Sequence, residues 1–122
     1  MKGEAPTSTG RRAEALACDY LEARGLRLLT RNYRCPRGEI DLVMRDGATT
    51  VFVEVRYRRR DDFGSGADSV DARKRTRLAA SALHYLQRHR EAARGPSRLD
   101  VVSMSGPPQA PRILWIPNAF DV

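Results

Sequence analysis

Residues 38–57 read GEIDLVMRDGATTVFVEVRY, and their reading decides the fold. Two runs rich in aliphatic and β-branched residues, GEIDLVMR and TTVFVEVRY, flank Asp46-Gly47-Ala48-Thr49, a turn composition suited to antiparallel strands. The pattern predicts a β-hairpin. Alternation places Glu39, Asp41 and Val43 on one face of its first strand, and Ile40 and Leu42 on the other. In the second strand Phe52, Glu54 and Arg56 oppose Val51, Val53 and Val55. A loop centred between Gly47 and Ala48 then sets Val43 opposite Phe52, Asp41 opposite Glu54 and Glu39 opposite Arg56.

Like charges facing each other across a strand pair, with Cβ atoms about 5 Å apart, destabilise it. Asp41 and Glu54 therefore need a shared proton, a neighbouring arginine or a divalent metal between them. Mg²⁺ takes oxygen ligands and is commonly held by one or two carboxylates together with water and substrate phosphate, which suits this pair. The same spacing equally describes half-exposed strand residues in a surface charge lattice with Arg56, Arg58 and Arg37, each pair contributing little. Spacing alone leaves the two readings level.

Toward the N-terminus, RRAEALACDYLEAR (11–24) carries Ala13, Leu16, Ala17, Tyr20 and Leu21 on one helical stripe, stopped by Gly25. Glu14 falls about a quarter-turn from the middle of that stripe, where it can still reach a sheet, whereas Asp19 and Glu22 point away. Residues 1–9 have no apolar stretch behind their charges, so they read as a disordered lead-in rather than a signal peptide, followed by a single domain over 10–122. LRLLTRNYR (26–34) reads as a strand, closed by a Cys35-Pro36-Arg37-Gly38 turn.

Toward the C-terminus a polar loop (58–69) leads to a helix from about Ala72 to Arg94, capped by Asp71 or Ser69. Its expected buried face is Leu78, Ala79, Ala82, Leu83 and Leu86, and Lys74, one turn before Leu78, looks inward too. RLDVVSM (98–104) and RILWIP (112–117) are the remaining strands, joined by a proline-rich connector. Helix, three strands, helix and two strands make an α/β or α+β sheet domain with helices packed against it.

A chain of 122 residues accommodates one core, and no apolar run approaches the roughly 20 residues needed to cross a bilayer, so no membrane partner is expected. The net charge is +7, and 20 of the 22 basic residues are arginines. Such an excess points to a polyanion, most naturally nucleic acid, against the alternative of a compositional bias that leaves solvated arginines all round. Cys18 and Cys35 belong to no metal-binding pattern and read as free thiols of a reducing, cytoplasmic compartment. His84 and His89 are five apart and share no helical face, which argues against a paired metal site. Tyr57, Arg58, Arg59, Arg60 and Phe63 lie where a strand runs into a loop and can grip phosphates or stack on an unpaired base, with Arg11 and Arg37 adding to the basic set.

GRRAEALACDYLEARGLRLLTRNYRCPRGEIDLVMRDGATTVFVEVRYR, then FGSGADSVDARKRTRLAASALHYL, RLDVV and NAF, resemble the YraN-type UPF0102 family of small bacterial proteins over residues 10–120. That family is similar in fold to the restriction-endonuclease-like PD-(D/E)xK nucleases, and among them to archaeal-type Holliday junction resolvases. The resemblance implies an α/β fold with a central mixed sheet of about five strands flanked by helices. It further implies a Mg²⁺ or Mn²⁺ site and a DNA substrate, branched or single-stranded, with a homodimer by analogy. Carried over by position, Glu14 is the helical acid, Asp41 the motif aspartate, and Glu54-Val55-Arg56 the (D/E)xK element, with the Val55 carbonyl as a further metal ligand. Arg56 departs from the motif lysine: arginine stays charged and can orient or stabilise, but cannot give up its proton. Lys74 is the candidate for the missing amine. The expected function is metal-dependent phosphodiester hydrolysis, the alternatives being a catalytically silent nucleic-acid-binding module and a partner-binding adaptor.

Overall fold

The computed structural model describes residues 4–59 and 71–120. Arg60, Phe63, Ser69 and most of the loop expected over 58–69 lie outside the described residues. The chain forms α1 (Glu4–Glu22), β1 (Arg27–Cys35), β2 (Gly38–Asp46), β3 (Thr49–Arg58), α2 (Ala72–Arg88), α3 (Arg90–Arg94), β4 (Ser97–Ser105) and β5 (Arg112–Phe120). The helix α1 begins at Glu4.

The five strands form one mixed sheet in the order β1-β2-β3-β4-β5. Every neighbouring pair is antiparallel except β3 and β4, which run parallel and are joined by the α2–α3 crossover. A parallel pair needs such a crossover, because its strand ends lie at opposite sides of the sheet. On one face Ala13, Ala17, Cys18 and Leu21 of α1 pack against Leu42, Met44, Val51, Val53, Val102 and Met104. On the other, Leu78, Ala82 and Tyr85 of α2 pack against Ile40, Val43, Phe52, Leu99 and Val101. The chain is thus an α/β sandwich with a helix on each side of the sheet.

Three sequence expectations change. The buried residues of α2 are Leu78, Ser81, Ala82 and Tyr85, while Leu83 is 52% exposed. Tyr85 turns the helix toward its own side by packing edge-on against Phe52 and Tyr33, and the helix stops at His89, whose ring stacks on Tyr85 at 3.8 Å. Strict alternation along β2 also fails: Ile40 shares a cluster with Val43, and Leu42 packs on the opposite face. The break falls beside Asp41, where β2 parts from β3.

Candidate functional site

The hairpin register is the one the turn implies, with Val43 opposite Phe52 and Leu42 opposite Val53, but the ladder ends there. Asp41 and Glu54, and likewise Glu39 and Arg56, are not backbone partners. In place of a strand carbonyl, the Asp41 carboxylate accepts the Val55 amide proton (N to Oδ2, 2.8 Å). The side chain satisfies a donor that the departing strand would leave orphaned, and the gap between β2 and β3 opens beyond it. Glu39 turns to Arg34 across the β1–β2 pair at 3.6 Å and sits 44% exposed, a surface ion pair.

Glu54 follows Phe52 along β3 and is 4% exposed. Its carboxylate is met by Lys74 Nζ at 2.9 Å and by Arg56 Nη1 at 3.9 Å. Lys74 is held there by its own backbone, because its amide donates to Asp71 at 2.9 Å and so caps α2. That hydrogen bond draws the Asp71 carboxyl below the usual carboxylate range. Of the two caps the sequence offers, Asp71 is the one in place.

Glu14 enters from α1 and hydrogen-bonds the side chains of Asn32 and Asp41. Burial lifts its pKa, against the pull of those two hydrogen bonds. Asn32 is one of two residues other than glycine with a positive φ among the described residues, at 50°, a conformation asparagine tolerates. Asp41 is raised to about 8, first by burial and then by the adjacent Glu54 charge, with the Val55 amide opposing. The repulsion foreseen between the two acids is met by the raised pKa of Asp41, which favours its neutral form, and by two cations on Glu54, the Lys74 amine close by and the Arg56 guanidinium farther off.

Two adjoining cavities, about 310 and 500 Å³, share Asp41, Glu54 and Lys74. The smaller is also walled by Glu14, Val55, Arg56 and Tyr57, the larger by Arg34, Cys35 and Arg77. Glu14, Asp41, Glu54, Val55, Arg56, Tyr57 and Lys74 are thus brought together in one cleft. Arg37 is exposed on the β1–β2 turn, Arg11 on α1, and Arg58 at the end of β3, and none lines the cleft. Arg59 lines a separate pocket beside it. Sequence reasoning missed Asn32, Arg34 and Arg77. The signal for Arg77 was present, since it follows Lys74 by three residues on the same helical side.

Sequence reasoning also missed Asp100, a carboxylate inside an apolar strand that is 1% exposed. It accepts Arg98 Nε at 3.0 Å, Trp115 Nε1 at 2.9 Å and the Asn118 amide at 2.8 Å. These bonds sit at the register shift between β4 and β5, so Asp100 is a structural anchor. His84 and His89 belong to an aromatic cluster, with Tyr33 Oη 2.6 Å from His84 Nδ1.

Residues 13–104 match the model of a family described as uncharacterised protein family UPF0102. A UPF0102 protein of Nitrosococcus oceani is 50% identical over 122 residues, covering 100% of this chain and 98% of that protein. One from Stutzerimonas stutzeri is 53% identical over 114 residues, covering 93% of this chain and 95% of that protein. One from Methylococcus capsulatus is 53% identical over 113 residues, covering 93% and 90%.

Proposed function

The chain belongs to the UPF0102 family, and from that premise we propose that it is a metal-dependent, nuclease-like protein that hydrolyses phosphodiester bonds in DNA. The carrying observation is that Asp41 and Glu54, on strands that part between them, face one cleft with Glu14 behind and the Lys74 amine in front. A mixed five-stranded sheet flanked by helices is compatible with the nuclease-like fold that the motifs resemble.

The donor set suits a hard divalent cation. Among the described residues no three carboxylate, imidazole or thiol groups form a ready-made cage. Mg²⁺ and Mn²⁺ do not require one: two carboxylates, a backbone oxygen and water suffice where a phosphate completes the set. Asp41 and Glu54 would hold the ion, with the Val55 carbonyl as a further donor and Glu14 supporting Asp41 through its hydrogen bond. When bound, the ion polarises the phosphate and lowers the pKa of an attacking water.

The chain's own residues account for the remaining needs. Lys74 steadies the charge that builds on the phosphate oxygens, and Arg56 adds a fixed positive charge on the same side. Arg34 and Arg77 line the adjoining cavity along which a phosphate backbone can run. Asp41 gives up its proton when its carboxylate is needed as a ligand, and Glu14 lies within hydrogen-bonding reach to receive it.

The second reading is a nucleic-acid-binding module without catalysis, favoured by Arg56 at the motif lysine and by Glu54 being occupied with Lys74. The test offers linear, flapped and four-way-junction DNA to the purified protein with Mg²⁺ or Mn²⁺, alongside Asp41→Asn and Glu54→Gln. Cleavage lost in both variants supports the nuclease reading. Cleavage that survives them removes this site from consideration, and salt-dependent binding with no cleavage under either metal favours the module.

A further inference from the structure

Beside the cleft, α1, the end of β3 and the β4–β5 connector enclose a second pocket of about 280 Å³. Its walls are Leu16, Tyr57, Met104 and Pro108, and Arg12 and Arg59 also line it. Ala13 and Tyr57 line both this pocket and the cleft that holds Asp41 and Glu54, so the two are neighbours along one groove. Hydrogen bonds tie its Tyr57 wall and the β4–β5 connector together. Tyr57 Oη donates to the Gly106 carbonyl at 2.6 Å, the Gly106 amide bonds Arg58 O at 3.1 Å, and the Ala110 amide closes the connector onto Pro107 O at 3.1 Å.

We propose that this pocket receives one unpaired nucleobase of the strand whose phosphate lies in the cleft. The assignment rests on the nuclease reading for the position of that phosphate and deepens it by naming the substrate class, DNA with an unpaired nucleotide next to the reacting bond. The volume sits at the small end of ligand pockets and suits a single flat ring system. Apolar wall segments with one aromatic side chain match a base face, which stacks without regard to sequence, Gln109 can meet a base edge, and the two arginines match the phosphates on either side. A base pair inside a duplex cannot enter a concave site of this size. A base at an overhang, a flap or a junction can.

The test measures binding of end-labelled oligonucleotides in EDTA, where no metal-dependent cleavage intervenes. Wild-type protein is expected to bind a duplex bearing a single-stranded overhang roughly tenfold more tightly than the blunt duplex. Moving a single abasic nucleotide along the overhang is expected to erase that preference at one position. Leu16→Trp, which fills the pocket, should erase it as well while leaving blunt-duplex affinity unchanged. An abasic scan that is flat at every position overturns the proposal, and because it uses wild-type protein it stands even if Leu16→Trp does not fold. Equal weakening on both DNAs in a folded Leu16→Trp also overturns it. Asp41→Asn, assayed in parallel with Mg²⁺, separates the two readings: its loss of cleavage with a flat abasic scan leaves the nuclease and removes the pocket, and a positive scan without cleavage in wild type does the reverse.

Discussion

Lys74 and Glu54 lie 20 positions apart in sequence, on a helix and on a central strand, and their charged ends meet at 2.9 Å. The contact sets an amine from α2 beside a glutamate whose own strand offers it a guanidinium, Arg56.

Lys74→Met should lower cleavage by about a hundredfold, the usual consequence of removing one charge-stabilising donor. It should also destabilise the metal-free protein by about 1 kcal/mol, a modest figure because Lys74 is partly exposed to solvent. Single-turnover cleavage and urea titration measure the two effects. Unchanged cleavage in a folded variant removes Lys74 from the chemistry.

Arg56→Lys tests whether the strand position still needs an amine. With Lys74 in place the substitution should leave cleavage within about threefold, whereas in the Lys74→Met background it should restore part of the lost rate. A large gain in the otherwise wild-type protein would mean that Lys74 does not fill the role.

Asp41 links stability to pH. Its folded pKa is raised to about 8 from an ordinary value of 3.8, so between these values the folded state holds more proton than the unfolded one. Its stabilising contribution is full below about pH 4 and is lost as the pH rises through about 8. In EDTA, the melting temperature should fall between about pH 4 and about pH 8 and level off above, and Asp41→Asn should flatten that slope. Added Mg²⁺ should stabilise the wild type most at the alkaline end, where the proton no longer competes with the metal. A slope that is the same in Asp41→Asn would place the titration elsewhere.

Gly38 opens β2 at φ 146°, and a Cβ there would stand 3.2 Å from Ser81 Oγ of α2. Gly38→Ala combines backbone strain with that approach and should cost about 1–3 kcal/mol in a chemical melt. A neutral result would mean the strand can turn away from the helix without loss.

Asp100→Ala removes the acceptor of the Trp115 indole N–H and the Asn118 amide in one stroke and leaves Arg98 with Asp46 as its carboxylate partner. The expected loss is about 3–5 kcal/mol, as for breaking a buried ion pair on one side. Trp115 is the single tryptophan, so its emission reports the change directly. Wild-type stability in this variant would deny Asp100 its anchoring role.

The hairpin, the sheet-bearing class and the inward side of Lys74 were all legible in the sequence, because strand and helix periodicities are local and the Gly47-Ala48 turn sets a register that holds from Asp46 to Leu42. The acids themselves were legible too, since a carboxylate in the middle of VFVEV is costly unless something receives it. Leu83 was misplaced because α2 is rotated by Tyr85 packing against Phe52 and Tyr33, residues distant in sequence. Asp100 escaped notice for a related reason, its partners Trp115 and Asn118 lying on another strand.

By itself the sequence determined the strands, the charge balance and which residue types were available for chemistry, all of which follow from propensity and spacing along the chain. Only the tertiary structure decided how those groups meet. Asp41 ends the β2–β3 ladder by accepting the Val55 amide, Glu14 arrives from one side of the sheet and Lys74 from the other. The reason is physical: spacing is a one-dimensional quantity, whereas the parting of two strands is settled by which donors remain unsatisfied once both helices have packed.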